Sequence, residues 1–133
     1  MLTPLPALLD YAILAPTLLR IAAAFLFSYL GVHHFRNRSE VASEMSINTP
    51  AIAAVAASFY VIFEMLVAVG LFFGIYTQVA ALVGAAIAIK TSLIRRSLQH
   101  IAPLARSTYV LLGAICLALL LTGAGALAFD LPL

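Results

Sequence analysis

The sequence predicts an all-α, polytopic membrane protein: a compact bundle of four transmembrane helices forming one domain. Three observations lead there. Of the 133 residues, 65% are hydrophobic and 9% charged, whereas a soluble domain is about half apolar and about a quarter charged. Four apolar segments, at about 15–35, 51–74, 77–95 and 107–129, reach the roughly 20 residues that a span needs. Three of them carry closely spaced small residues, "GLFFG", "GAAIA" and "TGAGALA". In lipid, hydrophobicity does little to drive helices together, and small residues that permit close approach matter more.

The punctuation between segments supports this division. The opening stretch "MLTPLPALLDYAILAP" holds no base, and its only charge is Asp10. A cleavable leader begins with a basic region, so the stretch is expected to be retained, with the part before Pro16 at the membrane interface. Thr49-Pro50 offers a cap and a first-turn proline to the second segment. Gly74 ends that segment, and Thr77 caps the third across the turn "FGIYTQ". Pro103 breaks the chain ahead of the fourth, and "SEVASEM" (residues 39–45) reads as a short surface helix. The glycines expected to pack helices together are Gly31, Gly70, Gly74, Gly84, Gly113 and Gly123.

Net charge is +2 with seven basic residues, too few and too scattered for a nucleic-acid face. The bases instead report orientation. Arg36 and Arg38 follow the first segment, while Arg95, Arg96 and Arg106 follow the third, with Lys90 just inside its end. Loops 36–49 and 96–106 are therefore expected in the cytoplasm and both termini outside, in an inner (cell) membrane of bacterial type. The expected partners are the lipid bilayer and other membrane subunits or further copies of the chain. The single cysteine, Cys116, excludes an intrachain disulfide and is read as a packing residue.

Arg20 and Glu64 fall well inside spans, where an ionised side chain costs roughly 2.5–3.5 kcal/mol and marks a candidate site. At 100° per residue, Glu64 shares a face with Ala53, Ala57, Tyr60, Ala68 and Leu71. That stripe is mostly small, so Glu64 points into the bundle and the bulkier opposite face suits lipid. Arg20 shares a face with Ala24, Phe27, Gly31 and His34. Counting 1.5 Å per residue from the outer boundary puts Arg20 roughly 9 Å deep and Glu64 roughly 15–18 Å deep. The simplest arrangement is an outward-opening cluster with Arg20 between Asp130 and Glu64 and Tyr60 as a hydroxyl partner. Such a cluster serves a ligand or a proton, or else clamps the helices.

Other groups read more plainly. Adjacent His33 and His34 cannot ligate one metal from a single helical face. They are read as interfacial, ahead of a haem held between His34 and His100. Lys90 snorkels to the cytoplasmic boundary. Tyr11, Tyr29, Tyr76 and Tyr109 fall near segment ends, as interfacial aromatics do. No metal site, nucleophile elbow or phosphate loop is expected.

"LLRIAAAFLFSYLGVHHF" (18–35), "FEMLVAVGLFFGIYTQVAALVGAAIAI" (63–89) and "LLLTGAGALAFD" (119–130) together resemble the DoxX family of small four-helix membrane proteins. The marks are Arg20 early in the first span, Glu64 in the second, the Gly74–Thr77 turn, and Gly123 and Gly125 leading to Asp130. Two positions depart from the pattern: Gln78, where the family often has a base, and His34 with its neighbours, where it often has a lysine. The resemblance implies a subunit of a redox system, because the family's name is linked to quinone-reducing subunits of thiosulfate oxidation systems. Other relatives are tied to thiol redox balance or to assembly of membrane partners. The resulting expectation is a membrane subunit that holds a quinone or docks a partner oxidoreductase and is not catalytic alone. A non-enzymatic assembly subunit is the alternative. A small proton-coupled transporter ranks third, since the chain lacks inverted repeats and broken helices.

Overall fold

The computed structural model of the chain describes residues 11–12, 14–45, 47–94, 102–125 and 128–129. These form α1 (Leu14–Arg36), α2 (Arg38–Glu44), α3 (Pro50–Phe73), α4 (Thr77–Ile94) and α5 (Arg106–Thr122). The stretch before Pro16 is described only from Tyr11, and Arg95, Arg96, His100 and Asp130 lie outside the described residues.

Local chemistry accounts for the boundaries. Pro16 lies in the first turn of α1, where its missing N–H breaks no helical bond. Pro50 opens α3 in the same way, behind an extended Thr49 whose side chain makes no capping bond. Gly74 closes α3 in the left-handed conformation (φ 69°, ψ 39°), and its N–H donates to the Gly70 carbonyl. Val41 is the one buried residue of α2, the short helix expected over 39–45. The fourth long helix is shorter than expected: it stops at Thr122 rather than 129, because Gly123 turns to φ 77°.

α1 packs on α3, α3 on α4, α4 on α5, and α5 back on α1, while α2 lies on α3. Contacts such as Gly31 with Met65, Gly70 with Ala80 and Gly84 with Cys116 show that neighbours run antiparallel around the ring. The ring consists of two tight pairs, α1–α3 and α4–α5, joined by looser seams at α3–α4 and α1–α5. A core of Ala23, Ala24, Phe27, Leu30, Leu71, Ala81, Leu112, Cys116 and Leu119 fills its centre.

The chain is inside-out relative to a soluble bundle. The outward stripe of α3 runs Ile52, Val55, Phe59, Ile62, Leu66, Val69 and Phe73, all exposed. Its inward face is built from smaller residues, with Ala53, Ala57, Val61, Glu64, Val67, Ala68 and Leu71 buried. An exterior of large apolar residues, with alanines and glycines where helices approach, suits a lipid solvent. α1 and α3 are each long and apolar enough to cross a membrane, while α4 and α5 are shorter apolar helices.

Two glycines separate close approach from mere composition. A Cβ on Gly84 would sit 3.0 Å from the Phe27 ring and 3.2 Å from Cys116 Sγ, where α1, α4 and α5 converge. One on Gly113 would meet only Ile89 at 3.5 Å and Ala88 at 3.8 Å, ordinary contacts. Gly84→Ala is therefore expected to destabilise by about 1–3 kcal/mol through overpacking. Gly113→Ala is expected to be neutral or to stabilise by up to about 1 kcal/mol. Thermal unfolding of both variants in the same detergent checks the contrast; equal losses would refute it.

Candidate functional site

Glu64 lies fourteen residues into α3, on the stripe that faces α1, and is 0% exposed. His34, in the last turn of α1, is 2% exposed and meets it: Nδ1 lies 2.6 Å from Glu64 Oε2. A contact this short between a ring nitrogen and a carboxylate oxygen has a proton between them. The other carboxylate oxygen, Oε1, has no hydrogen-bond partner among the described residues. A buried, unmatched acceptor of this kind is unusual and costs roughly 1–3 kcal/mol or more.

Tyr60 precedes Glu64 by one turn, and its ring centroid lies 5.7 Å from that of His34. The tyrosine interacts with Glu64 through both charge and a side-chain hydrogen bond, and electrostatically with Tyr109. Its hydroxyl reaches across the α3–α4 seam to Thr91 Oγ1 at 3.2 Å, and Thr91 in turn donates to the Ile87 carbonyl at 2.8 Å. Lys90 Nζ lies 5.8 Å from the Tyr60 ring centroid, in cation–π range. On the α1 side, His33 stands edge-on to His34 with centroids 5.8 Å apart. Asn37 Nδ2 donates to His33 Nε2 at 3.2 Å. Arg36, Arg38, Lys90 and Arg106 fall at this same end of the bundle, since α1 and α4 end there and α5 begins there.

Arg20 is also buried, at 2% exposure, but at the other end. It lies against Gly74, so closely that a Cβ on that glycine would collide with Nη1. Beside it, Gly125 abuts Pro16 and Thr17, and the Phe129 N–H donates to the Phe73 carbonyl at 3.4 Å. The segment after α5 thus folds over the start of α1 and the end of α3.

The structure brings Tyr60 and Glu64 together but does not bring Arg20 to them. His34 is level with Glu64, so Arg20, fourteen residues earlier on α1, lies about 21 Å away along the helix axis. Depths counted from the ends of the spans misjudged this offset, because α3 starts well before it meets α1 and its first turns are covered by α2. Asp130 lies outside the described residues. His34 is buried: it belongs to the inward face that already held Arg20, Ala24, Phe27 and Gly31, all buried. That periodicity was the available signal, and the adjacent His33 obscured it. Among the packing glycines, Gly31, Gly70, Gly74 and Gly84 stand at close approaches, whereas Gly113 has ordinary contacts and Gly123 faces open space. Cys116 is fully buried, and Lys90 is exposed. Among the described residues, no three His, Cys, Asp or Glu side chains converge to hold a metal ion.

A family model described as DoxX matches residues 15–95, from the start of α1 to the end of α4. The chain belongs to the DoxX family. The match includes Arg20, His34, Tyr60, Glu64 and Lys90, so both polar ends of the bundle fall within the family domain on α1, α3 and α4. Comparison with curated proteins and with solved structures finds no significant match. Family membership and the apolar exterior agree that this DoxX chain is a membrane protein.

Proposed function

We propose that this DoxX chain is a membrane subunit of a quinone-linked redox system, holding a quinone head group beside Glu64 while a partner oxidoreductase exchanges the electrons. In this reading α1, α3, α4 and α5 all cross the bilayer, with the termini outside and the His34–Glu64 end toward the cytoplasm. The base-rich end, with Arg36, Arg38, Lys90 and Arg106, supports that orientation.

The observation that carries the reading is Glu64 Oε1, a hydrogen-bonding atom left open in the interior beside a tyrosine hydroxyl and a proton-bearing histidine. Ionisable groups within spans mark functional sites, because the cost of burying them must be recovered. Tyr60 is half-buried at the looser α3–α4 seam, so a lipid-soluble ring reaching the site from the bilayer would enter there.

The test is Glu64→Gln, which retains an amide oxygen for the histidine bond. Quinone-dependent turnover of the assembled complex is expected to fall at least about tenfold, the effect of losing one hydrogen bond or more to the reacting head group. Assembly, followed by co-purification, should be intact. A second reading rests on the fact that the same pair ties α1 to α3: the chain would then be an assembly subunit and His34–Glu64 an internal clamp. That reading expects Glu64→Gln to lower the amount of complex while each remaining complex turns over normally.

A further inference from the structure

The exposed cations of the bundle gather at one end. Arg36 closes α1, Arg38 opens α2, Lys90 lies four residues before the end of α4, and Arg106 opens α5. All four are exposed, as are Glu40 and Glu44 on α2. Yet among the described residues the one ion pair is His34–Glu64, so these four cations meet no carboxylate of their own chain. Counted at 1.5 Å per residue from the helix ends, they fall within about 6 Å of one another in depth. That is about the thickness of one head-group layer.

Aromatic rings place two of the four. Arg38 Cζ lies 5.8 Å from the Phe35 ring centroid, and Lys90 Nζ lies 5.8 Å from that of Tyr60. Phe35 is 59% exposed on the apolar exterior, so Arg38 stands where that exterior gives way to charge. A cation over a ring face spends none of its N–H donors on the contact and keeps them for an oxygen acceptor. The bases are also spread over four elements around the ring, which suits several small anions better than the face of one acidic protein.

We propose that this end of the bundle binds acidic phospholipids, whose phosphodiester groups supply the anions that no carboxylate of the chain provides. An acidic head group brings a net negative charge, whereas a zwitterionic one adds its own cation beside the bases. Attraction of this kind is worth roughly fivefold in affinity for each base near the surface. The inference uses the reading in which the four long helices cross the bilayer, and it is independent of the quinone.

The full chain is made by cell-free synthesis directly into nanodiscs, so that insertion does not depend on the bases being changed. The discs hold equal parts of phosphatidylglycerol and phosphatidylcholine with matched acyl chains, and native mass spectrometry counts the lipids that stay bound. Phosphatidylglycerol is expected to be retained at least about fivefold over phosphatidylcholine. Replacing Arg36, Arg38, Lys90 and Arg106 together by glutamine is expected to bring the two lipids level. Thermal unfolding of that variant in pure phosphatidylcholine discs should stay within a few degrees of wild type. Where the quadruple variant does not fold, Lys90→Gln alone is expected to lower the preference at least about twofold. Level retention by the wild-type chain overturns the proposal, and so does a preference that survives in the variants. Displacement of phosphatidylglycerol by a polyglutamate peptide overturns it in favour of an acidic protein partner. None of these results bears on quinone-dependent turnover, which Glu64→Gln tests separately.

Discussion

Replacing His34 with alanine is expected to destabilise the bundle by about 3–5 kcal/mol, the range for breaking a buried pair from one side. The reason is asymmetry. Glu64 already has one oxygen without a partner, and His34 serves the other at 2.6 Å. Without His34 the carboxylate would stay buried with its shortest hydrogen bond gone. Unfolding titrations in mixed micelles measure the loss. Removing both members with apolar residues of similar volume, His34→Leu with Glu64→Leu, should recover most of it, because two leucines bury no polar group and carry no desolvation penalty. A double variant as unstable as His34→Ala would show that the pair contributes through packing. A single loss below about 1 kcal/mol would show that the contact is incidental.

Gly74→Ala is expected to cost about 2–5 kcal/mol, from two sources with separate physical origins. The left-handed backbone at φ 69° costs a residue with a Cβ roughly 1–2 kcal/mol. The added atom would also collide with Arg20 Nη1 and lie 2.9 Å from Ala128 Cα, and overpacking of this kind costs about 1–3 kcal/mol. The guanidinium is the end of a flexible side chain and can give way, but the Ala128 backbone, at 2.9 Å, belongs to the segment folded across the bundle end. The variant should therefore accumulate poorly in membranes and unfold at lower temperature. Gly113→Ala, made alongside it, should not. If Gly74→Ala matches wild type, Arg20 is not held under the α3–α4 turn.

The apolar and small-residue periodicity of each segment was enough to identify the helices and their inward faces. In α3 the alternation of Ala53, Ala57, Glu64 and Ala68 with Ile52, Phe59, Leu66 and Phe73 separates core from exterior without a coordinate. The α3–α4 turn was equally legible, because Gly74 is the residue type that takes a left-handed helix end. The end of α5 was not. Apolar residues continue past Thr122, and hydropathy does not register that Gly123 turns the backbone out of the helix.

Which charges meet was beyond the reach of the sequence. Periodicity assigns a residue to a face of its own helix, but a partnership also needs the axial offset between helices. That offset depends on how far α2 covers the first turns of α3, and on how closely Gly31 lets α1 approach Met65. A shift of a few turns separates an Arg20–Glu64 cluster from the His34–Glu64 pair that forms. Composition and period alone determined a helical membrane chain with an inward carboxylate on α3. Only the tertiary structure, by setting the register of α1 against α3 and α3 against α4, decided that Glu64 pairs with a histidine and lies beside a tyrosine that also reaches α4.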